Sequence, residues 1–249
     1  AGVLRPQASG DGALHYGQIW LIFGKEREYI MVMARKTFEE ELTDLHDTLT
    51  KMCALVEGMI GNAVTALKTL DRKLGAAVSE ADREVDDLEI AIEKKCMRIL
   101  LKQQPVAKDL MMVTTALKVI TDVERIGDQA SDICEIATMG HLRSPRPEHF
   151  ASMAQAAISM VHRAIDAYVH KDIELAQQVE LSDDIVDALF NDVKADLIAG
   201  LRGHPDRTEE CLDLLMIAKY LERIGDHAVN IAEWVVYAIT GLYKGEELK

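Results

Sequence analysis

At 249 residues the chain is long enough to bury a substantial core. Apolar residues make up 49% but aromatics only 5%, and five prolines stand at positions 6, 105, 145, 147 and 205; this suits helices packed on helices and argues against a β-sandwich. The formal net charge of −14 comes without the clustered Lys and Arg that duplex nucleic acid requires, so no nucleic-acid role is expected.

The four cysteines, Cys53, Cys96, Cys134 and Cys211, form no CxxC pair, which argues for reduced thiols. No apolar run approaches the ~20 residues that span a bilayer. A soluble, cytoplasmic protein without a transmembrane segment is expected, peripheral to the inner membrane only through partners.

Residues 1–33 carry glycine, proline and no sustained period, and Met31 and Met33 stand just before the first periodic segment. This stretch is read as a leader, either added upstream of a natural start or poorly ordered. From Phe38 the apolar residues Leu42, Leu45, Leu49, Met52, Val56 and Met59 fall at helical spacing, and the pattern ends near Leu70–Gly75. A second helix is expected over Ala76–Leu101. Pro105 is placed to open a third, which Gly140, Pro145 and Pro147 close. A fourth is expected over Glu148–His170 and a fifth over Ile173–Leu201. Asp206 with Glu209 reads as a capping box for the sixth. The methionines are expected mostly as core filler.

Three helices therefore precede "GHLRSPRPEH" and three follow it. The pentapeptide "ERIGD" occurs as Glu124–Asp128 and again as Glu222–Asp226, and "DREVDDL" (Asp82–Leu88) matches "DDIVDAL" (Asp183–Leu189). Two similar segments in the same order argue for a duplication. The expected architecture is all-α: two tandem three-helix bundles, residues 34–142 and 143–249, after the leader.

At ~100° per residue, Glu124, Asp128, Asp132 and Glu135 share one narrow stripe, opposite the apolar Ile126, Ala130, Ile133 and Ala137. Glu222, Asp226, Asn230 and Glu233 repeat it. A solvated face would show the same angles. Like charges four apart destabilise a helix, however, and Glu124, Asp128 and Asp132 form two such pairs. An antiparallel hairpin turning near Gln103 brings Asp82 and Asp86 level with Glu124 and Asp128; a second brings Asp183 and Asp187 level with Glu222 and Asp226. Four carboxylates at one height suit a hard cation such as Mg²⁺, Ca²⁺ or Mn²⁺, or iron in a carboxylate-bridged cluster. No Glu-x-x-His occurs, which argues against a di-iron oxidase. No phosphate loop, GxSxG or HExxH occurs either, and no catalytic residue is expected. Gly127 and Gly225 are read as allowing close approach of a neighbouring backbone. Arg125 and Arg223 are read as mainly solvated, and His227 as a flanking polar residue.

The doubled three-helix plan, "VERIGDQASDI", "LERIGDHAVNIAE", "DREVDDLE" and "QQPVAKDL" resemble the PhoU family over residues ~38–242. The resemblance implies surface metal clusters, possessing iron, zinc, manganese or magnesium, on Asp82, Asp86, Glu124, Asp128, Asp183, Asp187, Glu222 and Asp226. Asp132 and Asn230 continue the stripe, and the neutral Asn230 puts the second cluster in question. It further implies a negative regulator of phosphate uptake and phosphate-starvation signalling. Its partners would be a phosphate ABC transporter and a sensor histidine kinase, and it would form a homodimer or larger assembly and catalyse nothing. A metal-dependent enzyme on phosphate compounds and a purely structural helical adaptor are the alternatives.

Overall fold

Apolar residues recurring at three- and four-residue steps give this chain its helices. The computed structural model describes residues 11–106, 108–142, 148–244 and 246–247. Its helices are α1 (Asp11–Thr69), α2 (Arg72–Gln103), α3 (Lys108–Thr138), α4 (Glu148–His170), α5 (Ile173–Glu180), α6 (Asp183–Gly203) and α7 (Thr208–Thr240). A 3₁₀ turn, Pro205–Arg207, precedes α7, and the two-residue strands β1 (Leu242–Tyr243) and β2 (Glu246–Glu247) follow it as an antiparallel pair. Apart from that small hairpin the fold is all-α, as the composition requires.

Helix α1 begins well before the expected Phe38. No proline interrupts the chain between Pro6 and Pro105, and residues 11–33 contain many good helix formers. Residues 1–10 of the expected leader lie outside the described residues, as do Pro145 and Pro147. Packing divides the chain into Ala1–Asp44 and Leu45–Lys249. In the first unit Arg35 pairs with Glu39 at 2.9 Å and Lys36 with Glu40 at 3.8 Å, both at i, i+4.

The second unit contains both three-helix halves. Each starts its second helix in the same way. Leu70 and Lys171 turn the chain with φ of 57° and 55°, and Asp71 and Asp172 then cap the helices that follow. Asp71 accepts from the Lys73 amide at 2.8 Å, and Asp172 from the Leu175 amide at 3.0 Å. The second helix thus starts at Arg72, earlier than the expected Ala76. Side chains from the first helix of each half occupy equivalent core positions: Met52 and Met59 in one, Met153 and Met160 in the other, all fully buried. Met33, Met97, Met139 and Met216 are exposed, so core filling accounts for only some of the methionines.

The halves differ where the fifth helix was expected to run unbroken. The Ser182 hydroxyl donates to the Gln178 carbonyl at 2.7 Å and accepts from Arg163 at 3.0 Å, so a side chain takes over a backbone role and the helix restarts as α6. The expected capping box also fails. Pro205 opens a tight turn that holds Asp206, and α7 starts at Thr208 with Arg207 at its N-cap and no side-chain capping bond.

Helix α3 packs on both α2 and α7, and α7 on α4, α5 and α6. The α3–α7 seam joins the halves and is antiparallel. Near one end Asp122 Oδ1 accepts from Asn230 at 3.0 Å and lies 2.9 Å from His227 Nδ1; near the other Tyr220 is hydrogen-bonded to Asp132. All four cysteines are free and buried. No helix among the described residues is long and apolar enough to cross a membrane.

Candidate metal centre

Gly127 lies on α3 where the side chains of Asp82 and Val85 of α2 and Met59 of α1 pack against it. A methyl group at its Cβ position would lie 3.5 Å from both Asp82 Oδ1 and Val85 Cγ1 and 3.6 Å from Met59 Cε. Gly225 sits in the matching place, where an added methyl would lie 3.5 Å from Val186 Cγ1, 3.6 Å from Met160 Sδ and 3.8 Å from Asp183 Oδ1. The neighbours are side chains at ordinary contact distance, not the backbone expected from the sequence. Alanine therefore fits at both positions. Gly225→Ala is expected to raise the stability of the metal-free chain by ~0.5–1 kcal/mol through helix propensity, a rise in Tm of roughly 2–4 °C per kcal/mol in a thermal melt. Gly127→Ala should gain less, because its methyl presses closer to a carboxylate oxygen.

In the first half, oxygens of Asp86, Glu124 and Asp128 lie within 4.8 Å of one another. Asp82 stands one turn earlier on α2, outside that trio but near enough to Asp128 and Asp86 for their charges to act on it. Its Oδ1 is buried without a hydrogen-bond partner, while Ser131 donates to the carboxylate. Arg125 approaches Glu124 at 3.4 Å and Asp128 at 3.6 Å, so it is paired where the sequence suggested solvation. This one guanidinium does not balance the cluster. Burial and the neighbouring Asp128 and Glu89 charges push Glu124 up to about 7. Burial and the Asp128 carboxylate raise Asp82, and burial also raises Asp128 itself.

The second half assembles the matching residues with different balance. Burial, then Asp187 and Asp226, raise Asp183, and burial with Glu222 raises Asp226. Lys219 is hydrogen-bonded to Glu222. Among the described residues, no three acidic or metal-ligating groups of this half come as close together as Asp86, Glu124 and Asp128.

The other candidate residues are placed differently. Asp132 lies beside Asp82 and Asp128 but bonds Tyr220 across the seam. Glu135 is exposed near Tyr220. Asn230 is held by Asp122, and Glu233 accepts from Lys244 at 3.0 Å and from the Tyr243 hydroxyl at 3.3 Å. Tyr243 stacks on Trp234 at 4.3 Å, so the chain end folds back onto α7 and takes Glu233 with it. Sequence reading missed Glu89, whose position one turn beyond Asp86 on the same face of α2 was the available signal. Thr121 donates to it at 3.4 Å, and burial with Glu93 raises its carboxyl.

The first-half donor set is entirely oxygen and carries an unpartnered buried carboxylate oxygen, and burial makes Asp82, Glu124 and Asp128 hold protons more tightly than free carboxylates do. These are properties that fit a hard cation.

The family model for the PhoU domain matches residues 49–137 and again 150–235, one match on each half. The chain belongs to the PhoU family. It is 34% identical over 212 residues to a phosphate-specific transport system accessory protein PhoU homolog of Clostridium acetobutylicum, covering 84% of this chain and 97% of the relative. A homolog of the same description from Pseudomonas aeruginosa is 36% identical over 210 residues, 82% and 86% of the two chains. The crystal structure of PhoU from Pseudomonas aeruginosa superposes with a TM-score of 0.80 at 35% identity, covering 82% of this chain and all of that one. The phosphate transport system regulatory protein PhoU from Streptococcus pneumoniae gives 0.75 at 25% identity, covering 83% and 98%. The PhoU domain thus accounts for both halves of the duplication.

Proposed function

We propose that this PhoU-family chain is an accessory regulator of phosphate uptake that binds metal on its acidic faces and acts through protein contacts, not catalysis. The family match on both halves carries this reading, because the relatives it covers almost end to end are named as accessory or regulatory proteins of phosphate transport. The convergence of Asp82, Asp86, Glu124 and Asp128 supports the metal part. These residues would hold a divalent or trivalent ion, which supplies positive charge that fixes the α2–α3 face in one arrangement. The partners are a phosphate ABC transporter and a sensor histidine kinase, contacted as a negative regulator from the cytoplasm, with the chain itself self-associated.

Expression in a bacterium deleted for its own family member tests the regulatory part. The chain is expected to restore repression of phosphate uptake and of a phosphate-starvation reporter in high phosphate. A reporter that stays fully active, with the chain folded and abundant, would refute it.

A further inference from the structure

The two halves share an outline but not the charge at one pair of positions. In the first half Thr121 precedes Glu124 by one turn and donates to Glu89. At the matching positions of the second half stand Lys219 and Phe190. The Lys219 ammonium is bonded to Glu222 and lies 5.7 Å from the centre of the Phe190 ring.

We propose that Lys219 is a tethered cation filling the second acidic cluster, so that the chain takes up metal in its first half and far more weakly in its second. This rests on the metal reading of the first half. Three differences act in the same direction. Phe190 removes the carboxylate that Glu89 contributes in the first half. Its ring face also attracts the ammonium and holds it beside Glu222. The ammonium then occupies a carboxylate that an entering metal ion needs, and it repels that ion. Arg125 does not block the first cluster in this way. Both cations are about half-exposed, but Lys219 is hydrogen-bonded to Glu222 while Arg125 meets Glu124 and Asp128 only at 3.4 and 3.6 Å, leaving their oxygens able to converge.

The test measures Mn²⁺ binding by equilibrium dialysis with elemental analysis, in four full-length proteins: wild type, E124Q/D128N, K219T/F190E and the combination. Wild type is expected to bind through its first half, so that E124Q/D128N loses nearly all its manganese. K219T/F190E, which restores the first half's residues, is expected to raise second-half affinity ~10-fold or more, as added ligand charge does in carboxylate sites. That gain should persist in the combination. Retention of half the manganese by E124Q/D128N, or no gain in K219T/F190E, overturns the proposal and leaves the metal reading intact. Manganese in none of the four proteins overturns the metal reading and this proposal with it. If K219T/F190E loses helicity, K219M keeps the stem over Phe190 without the charge; it restores no carboxylate and is expected to show a smaller gain in second-half affinity, and no gain at all overturns the proposal.

Discussion

E124Q/D128N is expected to lose the metal-dependent rise in melting temperature while keeping the metal-free fold. Asp82 and Asp86 would remain, but two carboxylates offer too few oxygens for a cation that prefers six or more ligands. Without metal, stability should hold or increase slightly. Glu124 and Asp128 repel each other at i, i+4, and burial raises both. With metal at ~100 times its dissociation constant the wild type should gain ~2.7 kcal/mol by mass action on the folded state. For a chain of this length that is a shift of roughly 5–10 °C. Thermal melts with Mn²⁺ or iron and after chelation decide the matter. Superimposable wild-type curves in all conditions would leave a solvated acidic face as the better description.

The metal-free chain is also expected to become less stable between about pH 4.5 and 7. Folding pushes Glu124 from its ordinary value of 4.5 up to about 7, so the folded chain retains a proton that the unfolded chain has released. The stabilisation is fully present below pH 4.5, is lost as pH rises through about 7, and stays lost above it. One pKa unit corresponds to about 1.4 kcal/mol, which sets an upper limit of ~3 kcal/mol for Glu124. Solvent screening at the partly exposed cluster reduces that figure, while Asp82 and Asp128 shift in the same direction. Urea melts at pH 5 and pH 8 should show the difference, and Glu124→Gln should flatten it. Saturating metal should reverse the slope, because ligand carboxylates must be deprotonated. A metal-free wild type whose stability rises from pH 5 to pH 8 would contradict the reading of Glu124.

Much of this was visible in the sequence because it depends on spacing. The duplicated apolar steps locate six helical segments, and reflection of one helix on the next places Asp82 and Asp86 beside Glu124 and Asp128 from spacing alone. Features set by single side chains were harder to see. Ser182 divides the fifth segment by bonding a carbonyl one turn back, and Pro205 displaces the start of α7 away from Asp206. Asn230 and Glu233 share the acidic stripe by angle, yet Asp122 across the seam and Lys244 from the chain end engage them. Helical periodicity says which way a residue faces but not which neighbour arrives there. Glu89 was legible on the α2 face, whereas the contrast between Thr121 and Lys219 becomes meaningful only once the halves are aligned.

The α3–α7 seam bears on how the two halves recognise each other. Asp122 and Tyr220 occupy matching positions, as do Asp132 and Asn230, so the seam repeats one contact with different chemistry at each end. Two first halves docked on each other in this way would set Asp122 against Asp132 twice, carboxylate to carboxylate. Two second halves would set Tyr220 against Asn230 and incur no such repulsion. Only the mixed arrangement gives a carboxylate a hydrogen-bond donor at both ends. The divergence of the repeats therefore discourages self-pairing of the first half and favours its own second half, a specificity obtained by disfavouring the wrong partner. Separately produced halves, when mixed, should reassemble in preference to first-half dimers.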